Sequence, residues 1–193
     1  MQLHNKTENN LFSRKALYQM SKTNIILTGF MGCGKTTVGR MVAKELNYEF
    51  IDTDQLIEER FGMTVQEIFA TKGEKDFRDM ESDIARDLSE REGLIVSTGG
   101  GMMLNAQNVA ALGGNGRVFC LVATPEEIFK RISSDNKNKR PLLNTSNPLE
   151  RISQLIKERA KGYRQFTQIS TSGKTPQEIT QELITIFQSS RNR

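Results

Sequence analysis

Residues 29–36 read Gly-Phe-Met-Gly-Cys-Gly-Lys-Thr and match the spacing G-x-x-x-x-G-K-[ST] of a phosphate-binding loop. The glycines of such a loop allow a tight turn that brings several backbone N–H groups onto one phosphate. Lys35 can reach the outer phosphates as a mobile charge, and the Thr36 hydroxyl is placed to ligate a magnesium ion. The loop therefore predicts a bound nucleoside triphosphate, and it leaves the acceptor of a phosphoryl group open.

The elements on either side of this loop favour that interpretation over a chance glycine turn. Residues 24–28 are strand-forming, and residues 37–46 have apolar positions at helical spacing. The loop would then lie between the carboxyl end of a strand and the amino end of a helix. The positive end of the helix dipole favours an anion at that point.

The composition is that of an ordinary globular protein. The chain has 193 residues, with 27 basic and 23 acidic side chains and a formal net charge of +4. This excess suits a protein that binds small anions and is weak support for nucleic acid binding. No apolar run is long enough to span a bilayer and no signal-peptide core is present, so we expect a cytoplasmic protein. We take it to be a monomer with no nucleic acid or membrane partner. Two cysteines and one histidine argue against a zinc site.

The order of elements predicts an α/β fold. Residues 1–22 are polar and aperiodic, and we expect a disordered or loosely docked tail before a single domain at 23–193. Short apolar strands then alternate with helices, as in a parallel sheet covered on both faces, which binds ligands at the carboxyl ends of its strands. The later predicted strands are residues 48–52, 94–97, 117–123 and 169–172. The later predicted helices are residues 55–61, 64–71, 74–91, a helix from Pro125 with Thr124 as cap, 149–166 and 176–187.

Two acidic residues follow the second predicted strand. Asp52 and Asp54 flank Thr53, and carboxylates at a strand end can hold magnesium or accept a hydroxyl proton. The simpler interpretation is that one of the two aspartates merely caps the next helix, which Thr53 could also do. The spacing alone leaves both interpretations open.

Three further features could bind an acceptor. Arg78 and Glu81 lie one helical turn apart, a spacing that is also typical of an exposed ion pair, and Arg159 lies in a charged helix. Residues 99–101 are three glycines directly after an apolar strand. Such a run opens backbone N–H groups and permits close approach of a ligand, and it is hard to explain by stability alone.

Residues 134–148 interrupt the helical pattern with a polar, basic segment that contains Arg140. Most segments of this kind are solvated surface loops. The phosphate-binding loop favours a lid, because phosphoryl transfer requires exclusion of water and neutralisation of charge. We therefore predict a lid at about 134–148 that brings Arg140 onto the phosphates.

Taken together, these motifs resemble the motif series of the shikimate kinases over roughly residues 24–187. The resemblance is carried by Gly29–Thr37, Asp52–Asp54, Phe77-Arg78 with Glu81, Thr98–Gly101, Arg140-Pro141-Leu142-Leu143, and Arg159 with Tyr163. It implies a three-layer α/β/α fold of the nucleoside-monophosphate-kinase type, with a five-stranded parallel sheet of order 2-3-1-4-5. It also implies transfer of the γ-phosphoryl group of ATP to the 3-hydroxyl of shikimate.

The resemblance further implies a role for each matching residue. Asp54 would be the base for the attacking hydroxyl and a catalytic residue with Lys35 and Arg140, whereas Asp52 and Thr36 would hold Mg²⁺. The ATP-binding residues would be Gly32, Cys33, Gly34, Lys35, Thr36, Thr37, Arg131, Arg140 and Pro176. The shikimate-binding residues would be Asp54, Arg78, Gly99, Gly100, Gly101 and Arg159, within and beside acceptor-binding helices at about 54–92 and with Val65, Phe69 and Phe77 as an apolar wall.

Other functions remain open at this stage. A related kinase for gluconate or for a nucleoside monophosphate would use the same loop, and paired arginines suit a carboxylate or a phosphate alike. A nucleotide-binding module without chemistry is the remaining alternative. Cys33 stands where such loops usually carry a small residue, and a thiol beside Lys35 and a helix N-terminus suggests inhibition by oxidation.

Overall fold

The computed structural model describes residues 23–134 and 146–189 of the chain. The expected tail at 1–22 and most of the expected lid, with Arg140, lie outside the described residues. Within them the chain forms five strands, eight α-helices and one 3-10 turn. In chain order these are β1 (Asn24–Thr28), α1 (Lys35–Leu46), β2 (Glu49–Asp52), α2 (Thr53–Phe61), α3 (Val65–Thr71), α4 (Gly73–Ser89), β3 (Leu94–Ser97), the 3-10 turn (Met102–Leu104), α5 (Ala106–Gly114), β4 (Gly116–Val122), α6 (Pro125–Ser133), α7 (Pro148–Tyr163), β5 (Thr167–Ser170) and α8 (Pro176–Ser189).

The five strands form one parallel sheet of order β2-β3-β1-β4-β5, which confirms the predicted topology. β1 is the central strand, with Ile25 paired to Ile95 of β3 on one side and to Arg117 of β4 on the other. Because the strands are parallel, their carboxyl ends meet at one edge. The phosphate-binding loop after β1, the aspartates after β2 and the glycines after β3 therefore share that edge.

Two hydrophobic clusters cover the two faces of the sheet, which gives the three-layer architecture. Side chains alternate along a strand, so Ile25 and Leu27 pack on one face, with α1 and α8, while Ile26 packs on the other, with α2, α3, α4 and α5. Both faces are buried, which explains the apolar runs at residues 25–27 of β1 and 94–96 of β3. A third cluster joins α6 and α7 to Phe30 of the phosphate-binding loop.

Several element boundaries differ from the prediction. The 3-10 turn and α5 were not anticipated, and β5 begins at Thr167 rather than at residue 169. Helix α2 begins at Thr53, and its N-cap is Asp52, whose side chain accepts from the Asp54 backbone N–H. The simpler expectation that one of the two aspartates caps this helix is therefore confirmed, and neither Thr53 nor Asp54 is the cap. Thr124 does cap α6, with Pro125 at its first turn. Among the described residues, no helix combines the length and the apolar character needed to cross a lipid bilayer.

Candidate functional site

The phosphate-binding loop connects β1 to α1 through glycines in left-handed backbone conformations. Gly29 has φ 129° and Gly34 has φ 98°, values that side chains strongly disfavour. A Cβ on Gly29 would also lie 2.2 Å from the backbone oxygen of Leu121 in β4, so the loop can lie against the sheet only with glycine there. Lys35 folds back over the loop, and its Nζ donates to the backbone oxygens of Gly29 at 2.9 Å and Phe30 at 3.1 Å.

Cys33 points from the loop into the core. Its side chain is fully buried in the cluster under α1 and α8, and its Sγ lies 3.9 Å from the Lys35 Nζ. The other cysteine, Cys120 of β4, is also buried, and burial raises the pKa of its thiol to about 12. A thiol reagent in solution could reach Cys33 only if the loop opened. The burial of this side chain therefore argues against the expectation that Cys33 is easily oxidised.

Asp52 at the end of β2 faces the first turn of α1. The Thr36 hydroxyl donates to its Oδ2 at 3.0 Å, while its Oδ1 accepts from the Asp54 N–H at 3.2 Å. Asp52 therefore caps α2 and also presents an oxygen toward the phosphate-binding loop. A hydroxyl and a carboxylate at this distance are hard oxygen donors of the type that magnesium prefers.

Asp54 lies in the first turn of α2 beneath the same edge of the sheet. Its Oδ1 is buried and has no hydrogen-bond partner. The pKa of this carboxyl is raised from 3.8 to about 6, chiefly by burial and next by the neighbouring Asp52, while the Lys35 ammonium opposes the rise. Lys35 of the phosphate-binding loop is therefore near enough to act on the charge of Asp54. A carboxyl poised near neutrality, with an unsatisfied oxygen, is suited to accept a proton.

Two of the three glycines after β3, Gly99 and Gly100, leave room for charged side chains of the neighbouring helices. A Cβ on Gly99 would lie 2.6 Å from the Asp54 Oδ1 and 2.9 Å from the Glu81 Oε1. The Gly99 N–H donates to the buried Thr53 hydroxyl at 2.9 Å, which ties the strand end to α2. A Cβ on Gly100 would lie 3.3 Å from the Arg159 Nη1.

The third glycine leaves room for the Arg78 guanidinium. A Cβ on Gly101 would lie 2.8 Å from the Arg78 Nη1. Arg78 is held on α4 by Glu81 at 2.8 Å and by Glu74 at 2.9 Å. Glu81 is only 1% exposed, and burial raises its pKa, an effect that Arg78 partly offsets. The pair is therefore not the ordinary surface ion pair that its helical spacing allowed.

Arg159, from α7, reaches residues 99–101, which we call the glycine segment. Its guanidinium lies 5.4 Å from the centroid of the Phe30 ring, within reach of a cation–π contact. Tyr163, one turn later on α7, donates from its hydroxyl to the Gly100 oxygen at 2.6 Å. Arg159 and Arg78 thus approach the glycine segment from two different helices.

Arg131 lies beside the phosphate-binding loop at the same edge of the sheet. From α6 it donates to the Gly32 oxygen at 3.4 Å and to both oxygens of Thr171 at 3.0 Å, and it pairs with Glu127 at 3.2 Å. These bonds use the edge of the guanidinium, whereas stacking on a base would use its face. Pro176 begins α8 just beyond Thr171 and is exposed.

The fold brings most of the predicted site residues to one edge of the sheet. The predicted site residues on β2, α2, α4, the glycine segment and α7 lie around the phosphate-binding loop. Thr37 is exposed in the first turn of α1. Arg140 lies outside the described residues. Two contributions escaped the sequence analysis, namely the Thr53 hydroxyl under Gly99 and the burial of Glu81. A small polar residue between two aspartates at a strand end was the signal for the first.

Comparisons with known proteins agree on one family. The family model described as shikimate kinase matches residues 31–188. A curated shikimate kinase from Thermoanaerobacter pseudethanolicus is 45% identical over 167 residues, which are 85% of this chain and 95% of that protein. The solved structure of shikimate kinase from Acinetobacter baumannii in complex with shikimate has a TM-score of 0.82 at 35% identity and covers 93% of this chain and 99% of that one.

A different kinase shares the architecture at a lower level. A gluconokinase from Sinorhizobium meliloti 1021 has a TM-score of 0.55 and 17% identity, with coverage of 85% of this chain and 90% of that one. At this identity the likeness concerns the fold alone.

Proposed function

Because the chain belongs to the shikimate kinase family, we propose that it transfers the γ-phosphoryl group of ATP to the 3-hydroxyl of shikimate. The observation that carries the proposal is the surroundings of Asp54. Its buried, unpartnered carboxyl oxygen faces Gly99, and two arginines from separate helices reach the next two glycines. A buried carboxyl and two guanidinium groups therefore converge on one strand end, as a base and an anion site for the acceptor would require.

The acceptor half of the reaction rests on charge and geometry. Arg78 and Arg159 would bind the carboxylate of shikimate with the Gly100 N–H, because guanidinium groups match a carboxylate with two parallel hydrogen bonds. The missing side chains at residues 99–101 would let Asp54, Arg159 and Arg78 lie close to the backbone that the ring would contact. Asp54 would then hydrogen-bond the attacking hydroxyl and take its proton.

The phosphate half rests on the loop. Lys35 and the N–H groups of residues 32–37 would hold the β- and γ-phosphates, and Arg140 would add charge from the lid. Arg131 and Pro176 would hold the adenine. Catalysis then consists mainly of alignment and of charge neutralisation on the moving phosphoryl group, as is general for such transfers.

The donor atoms at the loop suit magnesium. Shikimate kinases are ATP-dependent, and Thr36 and Asp52, whose oxygens lie 3.0 Å apart, would hold Mg²⁺ together with the phosphates and water. The ion would supply charge neutralisation at the phosphate oxygens when bound. The single domain at 23–193, the monomeric state and the cytoplasmic location stay predictions.

Related kinase activities are the main alternatives, since Arg78 and Arg159 would also suit a phosphate or another sugar acid. The shared fold with a gluconokinase does not distinguish the acceptors, whereas the full-length match to shikimate kinases favours shikimate. A module without chemistry is disfavoured because Lys35, Asp52 and Asp54 are all present.

The deciding experiment measures ADP release with shikimate, gluconate and nucleoside monophosphates as separate acceptors. We expect turnover with shikimate alone, above the rate without acceptor. The matched control is Asp54→Asn, prepared in the same way, which excludes a contaminating kinase if its shikimate-dependent rate is lost. Turnover with gluconate or a nucleotide and none with shikimate would end the proposal.

A further inference from the structure

Tyr163 joins two parts of the acceptor site that come from different elements. It is the last residue of α7, and its ring is 5% exposed. Its hydroxyl donates to the Gly100 oxygen at 2.6 Å, at the short end of the range for such bonds. The Arg159 guanidinium lies near the same hydroxyl, and a Cβ on Gly100 would lie 3.3 Å from its Nη1. Tyr163 and Arg159 therefore both meet the Gly100 peptide, the tyrosine through a hydrogen bond to the carbonyl and the arginine beside the Cα.

The hydroxyl is fixed as a donor over the working range of pH. Burial raises the pKa of Tyr163 to about 12, although Arg159 opposes the rise. The proton therefore stays on the tyrosine, and its hydroxyl remains the donor to the Gly100 oxygen.

The backbone that Tyr163 holds needs such a partner. Three consecutive glycines have few steric limits on their backbone angles, so a peptide plane among them can rotate unless a hydrogen bond fixes it. Thr53 holds the Gly99 N–H at one end of the segment, and the 3-10 turn follows at the other, with the Leu104 N–H donating to the Gly101 oxygen at 3.0 Å. Tyr163 holds the carbonyl between these two points.

Packing around the ring leaves some slack. An apolar cavity of about 30 Å³ lies beside it, lined by Phe30, Leu121, Val122, Ala123, Ile128 and Ile156 as well as by the ring. A ring next to such a space is held less completely by its neighbours than one in a close-packed core. The hydroxyl contacts therefore contribute to where the ring, and with it the end of α7, lies.

We propose that Tyr163 is a positioning residue of the acceptor site, which locks the Gly100 peptide and Arg159 in the relative geometry that binds the acceptor carboxylate. This proposal rests on the proposed function for the identity of the acceptor. Tyr163 touches no reacting atom and acts through the Gly100 peptide that it holds and through Arg159, which lies against that peptide.

The test is Tyr163→Phe, which removes the hydroxyl and keeps the ring. We expect the KM for shikimate to rise about tenfold, the scale of one lost hydrogen bond to a charged or tightly held group, with kcat and the KM for ATP little changed. The control is Tyr48→Phe. Tyr48 directly precedes β2, so it lies at the amino ends of the strands, away from the carboxyl ends that form the site. It should leave the KM for shikimate unchanged.

A second readout separates positioning from general loosening of the fold. An analogue of shikimate with a carboxamide in place of the carboxylate cannot use the arginine forks fully. The ratio of kcat/KM for shikimate to that for the amide should fall about tenfold in Tyr163→Phe, because only the charged acceptor loses contacts. This ratio does not depend on how much of a preparation is folded.

The outcomes distinguish the two proposals. An unchanged ratio in Tyr163→Phe, with wild-type enzyme active on shikimate, would overturn the positioning role while leaving the proposed function intact. No turnover of shikimate by the wild type would overturn the proposed function itself. Double substitution with Arg159→Lys should be less than additive in the KM for shikimate, since Arg159→Lys removes the guanidinium whose geometry Tyr163 sets, and full additivity would contradict the role.

Discussion

The buried carboxylate of Asp54 should lower the free energy of unfolding of the protein, and Asp54→Asn tests this directly. Asp54 ionises near pH 3.8 in an unfolded chain and at about 6 in the folded protein. At about 1.4 kcal/mol for each pH unit, this rise corresponds to about 3 kcal/mol of unfolding free energy lost when the group is ionised. An asparagine has the same shape and no charge, so the variant should be more stable than the wild type at neutral pH.

The sign of the effect follows from which state holds the proton. Below about pH 4 Asp54 is protonated in both states, and its burial then has little electrostatic effect. As the pH rises from about 4 to about 6, the unfolded chain releases this proton first and is therefore favoured. Above about 6 both states are ionised and the full penalty is present. The stability gained by Asp54→Asn should therefore shrink by about 2 kcal/mol between about pH 7.5 and pH 4.5.

The assay is urea unfolding of both proteins at these two pH values, with shikimate-dependent ADP release measured on the same preparations. Activity in Asp54→Asn should fall at least about a hundredfold while stability rises, as is common where a site holds an unfavourable charge. The control, Asp79→Asn, removes an exposed carboxylate of α4 that pairs with Lys75, and it should bring no gain at neutral pH. A stability difference that does not change with pH would refute the reasoning, as would near-normal turnover without Asp54.

Three further predictions concern the same edge of the sheet. Gly99→Ala places a methyl group 2.6 Å from the Asp54 oxygen and should lower kcat/KM at least about a hundredfold by displacing the base, whereas Gly113→Ala, in open space on α5, should leave activity unchanged; equal activities would contradict the close approach. Arg78→Lys should raise the KM for shikimate at least about tenfold and leave the KM for ATP unchanged, because a point charge cannot replace the fork, and an unaltered KM for shikimate would remove Arg78 from the acceptor site. The value of kcat/KM for shikimate should rise with pH through an apparent pKa of about 6 as Asp54 loses its proton, and a profile that stays flat to about pH 4.5 would exclude it as the base.

The α/β class followed from the sequence pattern, whereas the strand order 2-3-1-4-5 came from the resemblance to the shikimate kinases. The fully buried strands β1 and β3 and the phosphate-binding loop indicate a parallel sheet, but they do not by themselves fix the order of its strands. β5 was misplaced by two residues because it is a polar edge strand in which only Ile169 is buried. Helix α5 was missed because it ends in two glycines; its start was marked by Asn105, which caps it through the Gln107 N–H.

The site was predictable in its residue types and less so in their surroundings. Spacing indicated that Asp52 and Asp54 lie at a strand end, but the division of labour between them depends on tertiary contacts. The Asp52 carboxylate accepts hydrogen bonds from the Asp54 N–H, as the N-cap of α2, and from the Thr36 hydroxyl. Asp54, in contrast, has a buried carboxyl oxygen without a hydrogen-bond partner. Likewise, the burial of Glu81 follows from the packing of α4 against the glycine segment, which no pattern within one helix can indicate.

The three glycines after β3 also limit how a protein of this kind can evolve. Each faces a different partner, so a single larger residue at any of them would disturb Asp54, Arg159 or Arg78 rather than reshape an empty wall. A change of acceptor by single substitutions must therefore occur at side chains of the surrounding helices. We expect the three glycines to stay unchanged among proteins of this kind, and the residues on these helices to differ between proteins with different acceptors.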